Sequence, residues 1–88
     1  MLIPEYTVAF KKDLAKAVRR NKDVTKLITI VSMLINEMPL PAKHENHPLK
    51  GGYIGHMDCH IEPDWILIYK VDKQYIEFVR TGTHSDLF

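Results

Sequence analysis

Histidine both accepts and donates protons near neutral pH, and this chain of 88 residues holds five of them. His44, His47, His56 and His60 fall within 17 positions; His84 stands close to the C-terminal end, four residues beyond Arg80. These residue types suit metal-free cleavage of RNA. The 2′-hydroxyl attacks the adjacent phosphate, a base removes its proton, and an acid protonates the leaving 5′-oxygen. Each proton-transfer group contributes roughly 10²–10⁴-fold to such a reaction. Arginine suits the cation role because its planar fork matches phosphate oxygens. His47, His60, Asp64, Arg80 and His84 are therefore candidate catalytic residues, provided the fold gathers them at one edge of a sheet. Trp65 and Phe88 are the aromatic candidates. Trp65 is by type more often core than a stacking platform, and Phe88 is either a packing plug or a ring on which a base stacks.

Metal binding is the competing chemistry, and the spacing argues against it. His56 and His60 need a helix to meet at i and i+4. Gly55 before them and the alternation after them read as a strand, which holds them roughly 13 Å apart. Cys59 is the only cysteine, so a structural zinc site of the common cysteine-rich kind is out of reach, and no disulfide forms within the chain. No metal and no cofactor are expected.

The elements that must position these residues follow from hydrophobic period. Residues 5–8 read as a short strand. From Ala9, the residues Phe10, Leu14, Ala17 and Val18 recur at helical spacing, with Asn21 as a stop. Asp23 is a good N-cap for a second helix whose stripe is Val24, Leu27, Ile28, Val31, Leu34, Ile35 and Met38. Pro39 and Pro41 end it. Residues 39–52 are rich in proline, glycine and polar groups and read as a loop. The period then becomes two. From Ile54 to Glu62, the residues Met57, Cys59 and Ile61 point one way, while His56, Asp58, His60 and Glu62 point the other. Trp65–Val71 is a nearly continuous apolar run, as in a central strand covered on both faces. Tyr75–Thr81 is the last strand. The fold class is α+β with order β-α-α-β-β-β: a helical hairpin on one face of an antiparallel sheet. The other face stays partly open, where a large ligand has room.

The length suits one domain, residues 1–88. The net charge of +1 is uninformative, but its distribution is not. Residues 1–26 hold seven cations against three acids, while the rest of the chain is net acidic. A basic segment of this kind attracts phosphate backbones through counterion release. Without a leader peptide or an apolar run near 18 residues, a cytoplasmic setting without membrane contact is expected.

Three ordered blocks carry a family resemblance. They are His47-Pro48-Leu49-Lys50-Gly51, the run Cys59-His60-Ile61-Glu62-Pro63-Asp64-Trp65-Ile66-Leu67-Ile68-Tyr69, and Arg80-Thr81-Gly82-Thr83-His84-Ser85-Asp86-Leu87-Phe88. With the preceding helical hairpin and its Pro-Leu-Pro exit at 39–41, the chain closely resembles the YafQ-type toxins of the RelE superfamily. The resemblance implies a RelE-like fold and the toxin of a type II toxin–antitoxin pair. The activity implied is a ribosome-dependent endoribonuclease that cuts messenger RNA in the ribosomal A site. Its implied partners are a cognate antitoxin, the ribosome with its RNA, and mRNA. By motif position the site comprises His47, His60, Asp64, Trp65, Arg80, His84 and Phe88. His84 is assigned the general acid, and His60 or His47, with Asp64, acts on the 2′-hydroxyl. Arg80 holds the scissile phosphate with Lys50 as helper, and Trp65 and Phe88 shape or stack on the codon. Lys12, Lys16, Arg19 and Arg20 on the first helix are expected to meet ribosomal RNA. The chain departs from the family at Met57, where a basic residue is common, and at His56, where an aromatic is commoner. A non-catalytic relative that only binds RNA or antitoxin in a repressor complex is the alternative; it has no need of an intact histidine–arginine set.

Overall fold

A computed structural model describes all 88 residues. The first strand, β1 (Ile3–Tyr6), is followed by helix α1 (Val8–Arg19) and helix α2 (Val24–Ile35). Thr7 caps α1: its hydroxyl accepts from the Phe10 amide at 2.9 Å and donates to the Val79 carbonyl at 2.7 Å. One side chain thus starts the helix and ties it to the sheet. Asn21, at φ 59°, turns the chain between the helices in a left-handed conformation that asparagine tolerates. Asp23 caps α2 as expected, accepting from the Thr25 amide at 3.1 Å. This helix stops at Ile35, short of Met38, because Glu37 takes φ 56° and reverses the chain before Pro39. The buried stripe is Leu27, Ile30 and Leu34, rotated from the expected one so that Ile28 is exposed.

The loop from 39 to 56 contains a short strand, β2 (His47–Pro48), flanked by single 3₁₀ turns at Ala42–His44 and Gly51–Tyr53. Strands β3 (Met57–Glu62), β4 (Trp65–Asp72) and β5 (Tyr75–Gly82) come next, and a one-turn helix, α3 (His84–Leu87), completes the chain. The sheet order is β1-β5-β4-β3-β2. Strands β3 to β5 pair antiparallel as expected; β2, in the segment read as a loop, adds antiparallel to β3, and β1 lies parallel to β5, so the five-stranded sheet is mixed. No helix is long and apolar enough to cross a membrane.

Two bulges decide which residues share a face. In β5, Phe78 pairs with Tyr69 and Arg80 with Ile68, leaving Val79 as the extra residue. An extra residue re-aims the side chains beyond it: Arg80 joins the face of Ile68 rather than that of Tyr69. In β3, His60 pairs with Ile66 and Glu62 with Trp65, leaving Ile61 extra. Glu62 therefore leaves the histidine face predicted by simple alternation and pairs with Lys26 at 2.9 Å and Lys22 at 3.4 Å.

The main core lies between the helices and one sheet face: Phe10, Leu27, Ile30, Cys59, Ile61, Trp65, Leu67, Tyr69, Ile76 and Phe78 among others. On the opposite face Ile66, Ile68 and Leu87 form a smaller cluster, with Leu49, Tyr53 and Val79 against it. Beyond the end of β1, the free edge of β5 is covered by α1. Asp13 accepts from the Thr81 amide at 3.1 Å and from Arg80 Nε at 2.6 Å and Nη2 at 3.1 Å. A ladder donor that an edge leaves unpaired is thus satisfied by a helix side chain.

Candidate active site

The face of the sheet opposite the helical hairpin collects side chains from five separate segments. His60 and Asp58 come from β3, Arg80 from β5, His47 from β2, Asp64 from the β3–β4 turn, and His84 and Phe88 from the α3 segment. Their floor is the small cluster of Ile66, Ile68 and Leu87. The rings of His60 and His84 lie edge to face with centroids 5.7 Å apart. Beyond His84 the aromatic series continues through Phe88 at 6.2 Å to Tyr53 at 5.8 Å.

Each of the three candidate histidines has its Nδ1 engaged by an oxygen. His84 Nδ1 lies 2.8 Å from Asp64 Oδ1, which also accepts the His84 amide at 3.0 Å. His60 Nδ1 lies 3.2 Å from the Pro63 carbonyl, and His47 Nδ1 lies 2.7 Å from the Glu45 carbonyl. Carbonyl acceptors require the proton on Nδ1, so Nε2 is left for substrate. The hydrogen-bond partners differ: His84 Nδ1 meets a carboxylate, while His60 and His47 bond to carbonyls, with the Glu45 carboxylate 3.6 Å from His60 Nδ1. The backbone and side-chain donors of His84 hold the Asp64 carboxyl below its ordinary range.

Asp58 belongs to the site, and its role is not legible in the sequence. The residue is buried, and burial pushes its carboxyl upward against the opposing pull of His47, His60 and His84. His47 Nδ1 lies 3.1 Å from Asp58 Oδ1 but aims its hydrogen at the Glu45 carbonyl, which leaves Oδ1 without a hydrogen-bond partner. Asp58 Oδ1 is thus a buried carboxyl oxygen without a donor beside the His47 ring. The alternation that puts His60 on this face puts Asp58 there too; burial is what sets it apart. Tyr53 is the other unforeseen member, standing beside Arg80.

Arg80 remains partly open, its side chain 29% exposed. The bidentate bond to Asp13 fixes the guanidinium and keeps it charged, and it engages only Nε and one N–H side of the fork. Phe88 is 62% exposed, so it is a free ring rather than a plug. Lys50 is exposed and unpaired beside the 3₁₀ turn. Trp65 corrects the sequence reading. It is 1% exposed on the helix side of the sheet, its indole N–H bonded to Thr81 Oγ1 at 3.0 Å, and cannot stack on a codon. The Ile61 bulge and the pairing of Leu67 with Thr81 place it there. Met57 also packs against the helix-side core, so its lack of charge removes nothing from the floor of the site. Cys59 is fully buried on that same side, its thiol pushed up to about 12 by burial, and is chemically silent.

Of the four cations proposed on α1, Lys12 and Arg19 are exposed without an ion pair, whereas Lys16 and Arg20 pair with Asp86 of α3.

Sequence and structure comparisons identify the family and the fold. The family described as "Bacterial toxin of type II toxin-antitoxin system, YafQ" matches residues 2–88. The chain is 48% identical over 85 residues to the mRNA interferase toxin YafQ of Escherichia coli K12, an alignment covering 96% of this chain and 92% of that protein. The crystal structure of YafQ from E. coli strain BL21(DE3) superposes with a TM-score of 0.95 at 45% identity, covering 100% of this chain and 99% of the other. YafQ in the E. coli DinJ–YafQ complex superposes with a TM-score of 0.93 at 46% identity over 100% and 99% of the two chains. The fold is thus the RelE-like α+β fold, and the chain belongs to the YafQ family of type II toxin–antitoxin toxins.

Proposed function

We propose that this chain is an mRNA interferase that cuts translated messenger RNA in the ribosomal A site by histidine acid–base catalysis, without a metal, and that a cognate antitoxin covers the site. The observation that carries this reading is the His60–His84 pair, 5.7 Å apart on an open face with Nδ1 of each anchored and Nε2 free. The activity of the E. coli relative, named as an mRNA interferase, supports the substrate class. The complex of a 46% identical relative with its DinJ partner supports an antitoxin.

In this reading His84, backed by Asp64, protonates the leaving 5′-oxygen through Nε2. His60 or His47 takes the proton of the 2′-hydroxyl, with Asp58 as an acceptor within the same cluster. Arg80, braced by Asp13, meets the non-bridging phosphate oxygens with the donors Asp13 leaves free, and Lys50 adds positive charge at the rim. Phe88 and Tyr53 present rings for the displaced bases, a contact worth about 1–3 kcal/mol per stacked base. Lys12 and Arg19 contact ribosomal RNA by charge alone.

The test is expression in bacteria of the parent and of His84→Ala, with 5′ ends of transcripts mapped after induction. The expected result is growth arrest and cuts at fixed codon positions in translated frames for the parent, and neither for the folded variant. Equal toxicity of both, without cuts, identifies a binder and overturns the catalytic reading.

A further inference from the structure

α3 carries His84 and ends beside Phe88, yet it is a single turn of four residues, too short to stand alone in water. Besides the bond from the His84 amide to Asp64 Oδ1 at 3.0 Å, which ties its first residue to the β3–β4 turn, its fixation comes from three contacts. Leu87 is buried in the small cluster below the site. Thr83 and Asp86 form a reciprocal cap: the Thr83 hydroxyl accepts the Asp86 amide at 3.1 Å, and Asp86 Oδ2 accepts the Thr83 amide at 3.0 Å. The third contact reaches across the molecule. Asp86 Oδ2 takes Arg20 Nη1 at 2.8 Å, and Oδ1 takes Arg20 Nη2 at 3.4 Å and Lys16 Nζ at 3.2 Å. The Asp86 side chain is only 16% exposed, and these donors hold its carboxyl far below the ordinary range. The backbone accommodates the contact closely: a Cβ on Gly82 would stand 2.9 Å from Asp86 Cβ, inside van der Waals contact.

The layout is unequal. The Thr83 cap orders the turn internally but does not fix its direction. Leu87 fixes one side against an apolar floor that tolerates sliding. Only the Asp86 bridge ties the turn to α1, the helix that also braces Arg80 through Asp13. Both the guanidinium and the imidazole of the site are thus referenced to the same rigid helix. We propose that the bridge from Asp86 to Arg20 and Lys16 is the positioning device that sets His84 against Asp64 and His60, so that these two cations anchor the catalytic turn rather than contact RNA. The kinetic consequence rests on the nuclease reading above; the structural consequence does not.

Asp86→Asn tests it, because the amide oxygen still accepts from Thr83 while the charge is lost. The expected result is a fall in kcat of about 10–100-fold with KM for programmed ribosomes little changed, the scale of a catalytic group misplaced by less than 1 Å. Removing the cations instead, with Arg20→Leu and Lys16→Met, leaves the Thr83–Asp86 cap in place and should give a fall of the same size. Two readouts are independent of activity. The Asp64 carboxyl, followed by carbon NMR, should titrate closer to the ordinary carboxylate value in Asp86→Asn, because the His84 donors withdraw from it. Amide exchange at residues 84–88 should accelerate. An unchanged Asp64 titration and unchanged exchange overturn the proposal, as does an altered titration with kcat intact. If the Arg20→Leu, Lys16→Met double variant moves neither readout, a specific bridge is also ruled out. Failure of the parent to cut RNA would sink the nuclease reading alone, with the titration still deciding the bridge. Should Asp86→Asn fail to fold, the milder Lys16→Met carries the same readouts.

Discussion

The two faces of the sheet use the same strands for opposite ends. On the helix side, Cys59, Ile61, Trp65, Leu67, Tyr69, Ile76 and Phe78 interlock with α1 and α2 and are almost wholly buried. On the other side only Ile66, Ile68 and Leu87 are buried as an apolar cluster, and Asp58, His60 and Arg80 stand among them. A face packed throughout stabilises; a face with a minimal floor leaves room for polar groups whose positions are set from elsewhere. Residues of the first face should therefore fail by unfolding, and residues of the second by losing chemistry while staying folded.

The largest separation is expected at His84. His84→Ala should lower single-turnover cleavage by about 10²–10⁴-fold, with a urea midpoint close to that of the parent. Trp65→Ala should do the reverse, removing about 3–5 kcal/mol of stability and emptying the centre of the helix-side core; chemical denaturation measures it. A Trp65→Ala chain that stays stable but cannot cut would move Trp65 into the site and break the comparison. Phe88→Ala should weaken substrate binding by the stacking of one base, about 1–3 kcal/mol, seen as a raised KM with thermal stability unchanged. The smallest effect concerns pH. Asp58 is held protonated to higher pH in the folded state than in the unfolded chain, so its ionisation removes stability as pH rises through the window above the ordinary carboxylate value. Asp58→Asn should therefore melt higher than the parent at neutral pH and show no such gain in acid, while losing cleavage. Asp86 has the opposite sign: its depressed carboxyl contributes stability above the ordinary value that is lost as pH falls.

Legibility in the sequence divides along the same line. Helical period, the Asp23 cap and the strand alternation come from local rules, and they place the hairpin and the three long strands within a few residues. The alternation also brings His60 to the open face. Its failures are bulges and pairings. Alternation cannot count the extra residues Ile61 and Val79, so it misplaces Glu62 and gives no reason for Arg80 to stand opposite Ile68. The parallel pairing of β1 depends on where the chain returns after α2, which no local pattern encodes. Trp65 illustrates the limit of motif transfer: its place in a matching block is legible, but its burial behind the sheet is not. The engagement of Lys16 and Arg20 by Asp86 joins residues about 70 positions apart in the chain and is a property of the fold alone.

The most direct measurement uses ribosomes programmed with two messages that differ by a single atom, a ribose or a 2′-deoxyribose on the 5′ side of the cleaved link. If the histidines act on a 2′-hydroxyl, the ribose message is cut to a 2′,3′-cyclic phosphate and a 5′-hydroxyl, and the deoxy message stays whole. Cutting of the deoxy message at an equal rate would contradict the account.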